Sequence, residues 1–539
     1  DRVVNRRVAG VGASNPVFAD VVGGGGDELV IATDDGTVHV QDVDGNEMPG
    51  WPQRTRPAFW WHGGSRTARE DGIPTPNAPV GVGAPITADL DGDGAIEIAV
   101  TDGNGDLTVW GADGSLWSRM SVDPALSAQS STDRRNRLKP GFLASPAAGD
   151  LDGDGVDELI AAAMDRHVYA WRLDGAPVAG FPVLVVDPAR VASVDPVSQA
   201  VSFAGDLKQV GDGGELVVTP AIGDLTGDGR PEIVVGAQEQ YLDDSSGVFP
   251  GFLNIQGLGA NTRVYAIHSD GNAHGGGAFL PGWPVKLQMI KGGVLPLIGN
   301  GVNVQAAIGS VDDDAEPEVV ISSSAGPLMV LDADGRTPYG RDFGVQLTLD
   351  WLGEPFGWRS NSRDGGVVVS AFGGPSLGDL TGDSRPEIAS PTVGLAQAAD
   401  QLLAGKQPGD TQLMAWDPRS RGPLPGFPHR TRDLGFFVTP AMVDVDGDGR
   451  AEVVAGHGVS LIDATNADGI DAPGFPKLTG GWVVGTPSFG DADGDGRAEM
   501  AIARRDGVVM VWRTAASTTS LSGWSRFGAN ARNTGSVMP

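Results

Sequence analysis

The sequence predicts an all-β chain folded as an eight-bladed β-propeller, with four antiparallel strands in each blade. An acidic, glycine-rich loop of nine residues recurs eight times along the 539 residues, and the segments around each loop recur with it. Short-stranded units repeated in this way bury their faces against one another, as the blades of a propeller do. Because two of the eight loops are degenerate, a ring of seven blades is the alternative.

The acidic loop is clearest at Asp150–Glu158, which reads DLDGDGVDE. The spacing between copies varies, so insertions of different length must interrupt a fixed structural unit. The other intact copies are Asp89–Glu97, Asp444–Glu452 and Asp491–Glu499; Asp224–Glu232 and Asp379–Glu387 have threonine at the third position; Asp20–Glu28 and Ser310–Glu318 are degenerate.

The flanking segments predict the strands of each blade, as the unit around Asp224–Glu232 illustrates. The apolar segment TPAIG precedes this loop, and the β-rich run EIVVGA begins at its last residue. A second alternating run starts at Arg263, and an Asp-Gly turn at Asp270 leads to Gly282-Trp283-Pro284. Alternation with a period of two indicates strands, and proline suits an edge strand. Each unit is therefore predicted as strand A, acidic loop, strand B, strand C, turn and strand D.

Closure of the ring must join the first and last units, because an open ring would leave exposed strand edges. We expect Gly523-Trp524 to complete the eighth blade, and either Arg2–Ala9 or Phe527–Val537 to lie at the seam. Tryptophans recur at equivalent places on strand C, where we expect them to form the core between blades. They are Trp110, Trp171, Trp416 and Trp512.

These units resemble the FG-GAP repeats of integrin α-subunits and the related VCBS-type repeats, and the resemblance extends through all eight copies. It implies one calcium-binding propeller domain over residues 1–539, in a protein that works outside the cell. Two features differ from the family pattern: the ninth loop position is glutamate where aspartate is commoner, and several insertions are long. Such repeats occur in proteins of diverse roles, so the resemblance does not fix the function.

The loop chemistry by itself favours calcium, which binds six to eight oxygen atoms in a flexible geometry. In Asp150–Glu158 the first, third and fifth side chains, the Val156 carbonyl and a bidentate Glu158 would supply them, while glycines permit the tight turn. The alternative is a metal-free turn, in which the carboxylates would repel one another. We predict about six structural calcium ions, none at Asp20–Glu28 and a weak site at Ser310–Glu318. The predicted ligands are Asp89, Asp91, Asp93, Glu97, Asp150, Asp152, Asp154, Glu158, Asp224, Thr226, Asp228, Glu232, Asp379, Thr381, Asp383, Glu387, Asp444, Asp446, Asp448, Glu452, Asp491, Asp493, Asp495 and Glu499.

Composition restricts the partners and the compartment. Acidic residues outnumber basic residues 69 to 38, so we expect no nucleic-acid partner. No apolar run is long enough to predict a transmembrane segment, and the absence of cysteine excludes disulfides. Weak calcium sites would stay empty in the cytosol, which predicts an extracellular or cell-surface location. No Asn-x-Ser/Thr sequon occurs, which favours a bacterial or archaeal source.

Strand order predicts two different faces. In an antiparallel blade the A–B and C–D connections lie on one face, and the B–C and D–A connections lie on the other. All acidic loops are A–B connections, so we expect the long insertions on the opposite face, where binding usually resides. The D–A insertions are Pro52–Val82, Met120–Lys139, Val183–Gly213, Lys286–Asn303 and Phe343–Phe372, and the B–C insertions are Glu239–Asn261 and Pro391–Asp410.

Two groups of side chains in these insertions are candidates for partner binding. An aromatic cluster would stack on sugars or contact a protein, or else cover the propeller channel. An arginine cluster would grip an anionic polymer, or else be an ordinary solvated loop. The candidate residues are Phe59, Trp60, Trp61 and His62 in the first cluster and Arg134, Arg135 and Arg137 in the second.

No catalytic residue is predicted. The seven histidines have no paired metal-binding spacing, and the sequence lacks GxSxG, HExxH and phosphate-loop motifs. The favoured hypothesis is a non-enzymatic extracellular propeller for adhesion, surface assembly or the binding of a protein or glycan, with self-assembly as one form of this. The alternative is a calcium-dependent polysaccharide lyase, because some polysaccharide lyases are eight-bladed calcium propellers. Arg134, Arg135, Arg137 and His62 would then serve the active site.

Overall fold

The computed structural model describes residues 4–7, 12–56, 82–126, 141–204, 214–241, 259–290, 301–338, 368–370, 373–394, 411–431 and 438–537, apart from single positions 313, 315, 325, 327, 421, 459 and 522. These residues form eight antiparallel blades arranged as a β-propeller, which confirms eight blades and not seven. The helices in this part are two short 3-10 segments, Pro188–Arg190 and Thr518–Ser520. No described helix has the length and apolar character needed to cross a membrane.

The first strand of the chain, β1 (Val4–Arg7), belongs to the last blade. The first four blades follow in chain order. Blade 1 contains β2 (Val17–Ala19), β3 (Glu28–Ala32), β4 (Thr37–Gln41) and β5 (Gln53–Arg54); blade 2 contains β6 (Ile86–Ala88), β7 (Glu97–Thr101), β8 (Asp106–Trp110) and β9 (Leu116–Ser121); blade 3 contains β10 (Ala147–Gly149), β11 (Glu158–Ala162), β12 (His167–Trp171) and β13 (Val183–Leu184); a separate hairpin contains β14 (Val191–Val194) and β15 (Val201–Phe203); blade 4 contains β16 (Ala221–Gly223), β17 (Glu232–Gly236), β18 (Gly259–Ile267) and β19 (Val285–Ile290).

Two of the last four blades differ from the four-stranded pattern. Three strands of blade 5 lie in the described part of the chain, and blade 6 has additional short strands. Blade 5 contains β20 (Ala307–Gly309), β21 (Glu318–Ser322) and β22 (Leu328–Leu331); blade 6 contains β23 (Val368–Ser370), β24 (Ser376–Gly378), β25 (Glu387–Gly394), β26 (Thr411–Asp417), β27 (Gly422–Pro423) and β28 (His429–Arg430); blade 7 contains β29 (Ala441–Val443), β30 (Glu452–Gly456), β31 (Leu461–Thr465) and β32 (Lys477–Leu478); blade 8 contains β33 (Ser488–Gly490), β34 (Arg497–Ala503), β35 (Val508–Ser517) and β1.

One register is common to all eight blades. The last residue of strand A pairs with the ninth residue of the acidic loop, as Gly149 pairs with Glu158 in blade 3 and Ala88 pairs with Glu97 in blade 2. The degenerate loop of blade 1 keeps this register, with Ala19 opposite Glu28. The acidic loop is therefore the A–B connection in every blade, as the sequence predicts.

The two ends of the chain occupy different places in the propeller. Strand β1 pairs antiparallel with β35, from Val4 opposite Val511 to Arg7 opposite Val508, so the N-terminal segment lies at the seam as expected. The expectation that Gly523-Trp524 completes the eighth blade is wrong. Trp524 is 1% exposed, and its carbonyl oxygen accepts a hydrogen bond from Met442 N–H of strand A in blade 7. The outer edge of β35 is already paired with β1, so the following segment turns inward.

The tail 523–537 fills the centre of the ring. Strands A are the innermost strands, and their inward edges would leave N–H groups without partners. Backbone carbonyls of the tail accept hydrogen bonds from the central residue of strand A in six blades. The donor and acceptor pairs are Phe489 with Ser525 (3.0 Å), Met442 with Trp524 (2.8 Å), Thr87 with Ala531 (3.1 Å), Ala148 with Arg532 (2.9 Å), Ile222 with Thr534 (2.7 Å) and Ile308 with Gly535 (2.8 Å).

The hydrophobic core lies between successive blades. Trp110 of blade 2 is 2% exposed and packs with Val30 and Val40 of blade 1, and Trp171 of blade 3 packs in the same way with Leu107 of blade 2. Trp416 and Trp512 are also buried between blades, which confirms the expectation for these four tryptophans. Each blade thus completes the core of its neighbour, and single blades would leave these indoles in water.

Candidate metal centres

The acidic loops lie side by side on one face of the ring. Loops of adjacent blades contact each other directly: Asp27 N–H donates to the Asp491 carbonyl oxygen over 2.7 Å, and Asp491 N–H donates to Asp27 Oδ2 over 2.8 Å. This arrangement follows from the shared A–B position of the loops. It concentrates carboxylates around one end of the central channel.

The first aspartate of the loop holds its shape. In blade 3, Asp150 Oδ1 accepts from Gly153 N–H over 2.7 Å, and its Oδ2 accepts from Gly155 N–H over 2.9 Å. Both glycines have left-handed backbone conformations, with φ of +79° and +87°, which other residues adopt at a cost. The turn that this aspartate braces therefore favours glycine at the fourth and sixth positions, although Ser384 adopts the same conformation at the sixth position of blade 6, with φ of +67°.

The ninth-position glutamate makes the same bond in all eight loops, and this explains why it is glutamate. Its Oε2 atom accepts from the backbone N–H of the second loop residue, as Glu158 does from Leu151 over 2.8 Å. The longer side chain spans the loop and leaves the second oxygen, Oε1, available to a cation. The equivalent donors are Val21 (2.9 Å), Leu90 (2.8 Å), Leu225 (2.9 Å), Val311 (2.7 Å), Leu380 (2.7 Å), Val445 (3.0 Å) and Ala492 (2.9 Å).

Carboxylates from five loops come close enough to share a metal ion. In each group one oxygen per residue lies within 4.8 Å of the others. In four loops the group joins positions one, three and nine, while the fifth-position aspartate lies outside it; Asp154, for example, accepts instead from Val156 N–H over 2.9 Å. The groups are Asp89, Asp91 and Glu97; Asp150, Asp152 and Glu158; Asp312, Asp314 and Glu318; Asp444, Asp446 and Glu452; Asp491, Asp493 and Glu499.

The remaining loops differ as their sequences suggest. The degenerate Ser310–Glu318 loop still forms a group of three carboxylates, so its weak site stays a prediction with a geometric basis. In blade 6 the third-position Thr381 donates its hydroxyl to Glu387 Oε1 over 3.2 Å. In blade 1 the loop keeps Asp20 and Glu28, and both carboxylates accept backbone N–H groups of their own loop.

In the loops of blades 2 and 7, the ninth-position glutamate has an environment that favours the binding of a cation. Burial, together with the neighbouring aspartates, raises the pKa of Glu97 to about 7 and that of Glu452 to about 8. Both residues are fully buried, and their Oε1 atoms have no hydrogen-bond partner among the described residues. A buried carboxylate oxygen without a partner is costly. A hard divalent cation such as calcium would satisfy these oxygens and stabilise the ionised carboxylates.

The opposite face carries an ordered insertion that the sequence did not reveal. Residues 191–203 of the Val183–Gly213 insertion form the β14–β15 hairpin, which is held by a buried polar network. Arg263 Nε donates to Asp187 Oδ2 over 2.8 Å, and the guanidinium lies 4.8 Å from the Tyr241 ring centroid. Polar and aromatic residues cluster where the Glu239–Asn261 insertion begins, and this cluster is the one sign in the sequence of a buried network. In the sequence it looks like ordinary loop composition.

The centre of this network is a buried ion pair, in which Arg166 Nη1 lies 3.5 Å from Glu239 Oε2. Glu239 is fully buried and accepts hydrogen bonds from the hydroxyls of Tyr241, over 2.8 Å, and Tyr265. Burial and the Glu239 charge raise the pKa of both tyrosines above the usual range, so their phenols remain protonated. These groups anchor the hairpin and do not act as bases. The tip of the hairpin exposes two valines, Val194 at 40% and Val197 at 75%, on either side of the exposed Asp195.

A cavity of about 260 Å³ lies at the channel mouth on this face. It is bordered by the residues just before strand A in successive blades, which bond to one another around the ring. Ser145 Oγ accepts from Ala84 N–H over 2.7 Å, and Thr219 Oγ1 accepts from Ser145 N–H over 3.1 Å. Phe527 of the tail also lines the cavity, so the tail separates it from the acidic face.

The candidate partner-binding residues Phe59, Trp60, Trp61, His62, Arg134, Arg135 and Arg137 lie outside the described residues. The ends of their insertions are described: β5 precedes the first, and β9 precedes the second. Both insertions begin after strand D, so the chain enters them on the hairpin side of the ring. Their role in binding stays a prediction.

Comparison with known proteins supports the fold and leaves the function open. No protein-family model matches the chain, and no curated protein matches it. The structure is similar to that of a quinohemoprotein alcohol dehydrogenase of Pseudomonas putida HK5, with 12% identity, 96% of this chain and 76% of that chain covered, and a TM-score of 0.52. It is also similar to the V. cholerae biofilm matrix protein Bap1, with 14% identity, coverage of 98% and 93%, and a TM-score of 0.45. A Bacillus licheniformis rhamnogalacturonan lyase has 14% identity, coverage of 99% and 80%, and a TM-score of 0.49. At these identities the likeness concerns the fold alone, which is an eight-bladed β-propeller.

Proposed function

We propose that the protein is a non-enzymatic, calcium-stabilised propeller of the FG-GAP type that works outside the cell and binds a protein or glycan through its insertion face. The observation that carries the calcium part is the buried, unpartnered Oε1 atom of Glu97 and of Glu452, each within a group of three carboxylates. Residues that fit a cation this well at repeated positions stabilise the folded ring when they bind it. Extracellular calcium concentrations are high enough to fill such sites, which is why we place the protein at the cell surface or in the medium of a bacterium.

The binding part rests on the insertion face. A buried ion pair, Arg263 with Asp187, fixes a hairpin whose tip exposes Val194 and Val197 to solvent. Ordering a loop costs conformational entropy, and exposed valines at its tip gain nothing from the fold itself. A rigid support that exposes apolar side chains suits contact with another macromolecule. Because the tail fills the channel, a partner would contact the loops of this face and not the interior of the channel.

Binding is tested with immobilised, chemically defined polysaccharides, both acidic and neutral, and by sedimentation for self-association. The variants replace Phe59–His62 with alanine, Arg134–Arg137 with alanine, and Val197 with aspartate. Loss of binding or association with an unchanged melting temperature supports the proposal. Asp44, exposed on the acidic-loop face, gives the matched control Asp44→Ala, which should bind normally.

The same polysaccharides test the alternative, a calcium-dependent lyase. A lyase cleaves an acidic polysaccharide by β-elimination and creates an unsaturated sugar, which absorbs ultraviolet light. Turnover that is abolished by the Arg134–Arg137 or His62→Ala changes would replace the proposal by the lyase. Binding without turnover would retain it.

A further inference from the structure

We infer that the acidic loops of blades 2, 3, 6, 7 and 8 form two classes, and that in one class an arginine of the chain competes with calcium for the loop carboxylates. This inference rests on the calcium binding proposed above and deepens it, because it assigns different cations to loops of the same sequence pattern. The classes are distinguished by whether an arginine at the end of strand C, or in the turn after it, lies beside the loop of its own blade.

Blades 3 and 8 form the arginine class. Arg172 follows β12; its Nη2 bonds to Asp152 Oδ2, and its Nη1 lies 3.4 Å from Asp154 Oδ2. Arg513 holds the equivalent place in β35; its Nη2 bonds to Asp493 Oδ2, and its Nε lies 3.8 Å from Glu499 Oε1. Both guanidinium groups therefore engage the third-position carboxylate, which belongs to the group that calcium would need; Arg172 also contacts the fifth position, and Arg513 the ninth.

In blade 6 an arginine at a different position also contacts the loop carboxylates. Arg419 lies in the turn after β26, and its Nη2 is 3.5 Å from Glu387 Oε1 and 3.6 Å from Asp383 Oδ2. Its side chain is 15% exposed, so the contact is well shielded from water. Three loops thus carry a positive charge of their own.

Blades 2 and 7 form the second class. Gly111 and Asn466 follow their C strands, and in the described part of the chain no lysine or arginine forms an ion pair with either loop. Arg532 of the tail pairs with Asp157 of blade 3, and its contact with the blade 2 loop is with the carbonyl oxygen of Asp89, over 3.4 Å, not with a carboxylate. These are the two loops whose glutamate Oε1 is buried and unpartnered.

The difference has a direct consequence for affinity. A guanidinium a few ångströms from a divalent cation repels it, and it already satisfies the carboxylates by charge-assisted hydrogen bonds. Calcium must displace the arginine in blades 3, 6 and 8, whereas in blades 2 and 7 no arginine is in the way and the glutamate Oε1 has no hydrogen-bond partner among the described residues. We therefore expect affinities in blades 2 and 7 that are on the order of tenfold or more higher.

Calcium titration of the full chain by isothermal calorimetry, with terbium luminescence as a second readout, tests the two classes by loss of sites. Glu97→Gln and Glu452→Gln should each remove one tight site. The matched controls Glu158→Gln and Glu499→Gln should leave the number of tight sites unchanged. Glutamine keeps an oxygen for the N–H of the second loop residue, and melting in calcium-free buffer verifies that each variant is folded.

The second part of the experiment tests for a gain of tight calcium sites. Arg172→Gln and Arg513→Gln should each add one tight site; both side chains are largely solvent-accessible, at 47% and 62% exposure, so their replacement spares the core. Arg54→Gln is the matched control, because Arg54 is 66% exposed and paired with Asp35. This variant should leave the number of tight calcium sites unchanged. Equal losses for Glu97→Gln and Glu158→Gln, or no gain for Arg172→Gln, would overturn the two classes while leaving calcium binding intact. A chain that binds no calcium would overturn the calcium proposal itself.

Discussion

Gly50 of blade 1 lies directly against Asp113 of blade 2: a Cβ atom on Gly50 would be 1.9 Å from the Asp113 carbonyl oxygen. The same contact joins Gly282 to Asp334, also at 1.9 Å. In both cases the glycine of a Gly-aromatic-Pro motif docks on the Asp-Gly turn of the next blade, and the following tryptophan adds a hydrogen bond, from Trp51 Nε1 to Ala112 O over 2.9 Å. Two motifs that are separate in sequence therefore form one interface between blades.

The first prediction is that Gly50→Ala destabilises the protein by about 1–3 kcal/mol more than a glycine substitution of similar backbone strain elsewhere. The matched control is Gly275→Ala, because Gly275 has a φ of +74° against +89° for Gly50, and a Cβ atom added there would have no neighbouring atom within 4 Å. Urea unfolding measures both free energies. Equal losses would show that backbone strain, and not the contact with Asp113, governs the Gly50 position.

The second prediction concerns the tail in the channel. Trp524→Ala should lower the free energy of unfolding by about 3–5 kcal/mol, because it removes a buried indole from a fully packed site. Trp117→Ala is the control, since Trp117 lies on an outer strand and is 42% exposed. If both variants unfold at the same urea concentration, the tail does not contribute to the core as the structure indicates.

The third prediction is that chelation lowers the melting temperature. A site present only in the native state stabilises it by about 2.7 kcal/mol when free calcium exceeds its Kd a hundredfold. Differential scanning calorimetry in calcium and in chelator measures the shift, with magnesium as the control cation, which fits irregular oxygen sites less well. An unchanged melting curve, together with metal analysis that finds none bound, would refute the metal centres.

The fourth prediction is a pH dependence at Asp102, which lies in the B–C turn of blade 2, away from the acidic loops. Burial raises the pKa of Asp102 to about 6, although its Oδ1 accepts from Asn104 N–H over 2.8 Å. A raised folded-state pKa means that the fold favours the protonated form, so stability is lost as the pH rises from about 4 to about 6. Asp102→Asn removes this cost.

The gain from Asp102→Asn should be small at pH 4 and reach about 3 kcal/mol above pH 6. Urea unfolding across this range measures it. Asp113→Asn is the control, because Asp113 is exposed and its pKa is lowered by hydrogen bonds from Ser115, so no gain is expected there. A gain for Asp102→Asn that does not vary with pH would contradict the assignment to ionisation.

Local sequence was sufficient to predict the blades and the candidate loops. The nine residues of Asp150–Glu158 contain the aspartate, the glycines and the glutamate whose mutual hydrogen bonds define the turn, so their pattern reports the structure directly. Strand alternation and the repeated tryptophans likewise act over a few residues, which is why eight blades and the inter-blade core at Trp110 could be predicted.

Tertiary structure decided the contacts between residues that are far apart in the chain. Pairing of Val4 with Val511 closes the ring, and the carbonyl of Trp524 meets Met442 in the channel, which the motif at Gly523-Trp524 did not indicate. Whether Arg172 lies beside Asp152 depends on how strand C returns past its own loop. Local patterns specify each blade because the bonds within it are short-range; the closure of the ring, the filling of its channel and the charge beside each loop depend on where the completed blades place distant segments.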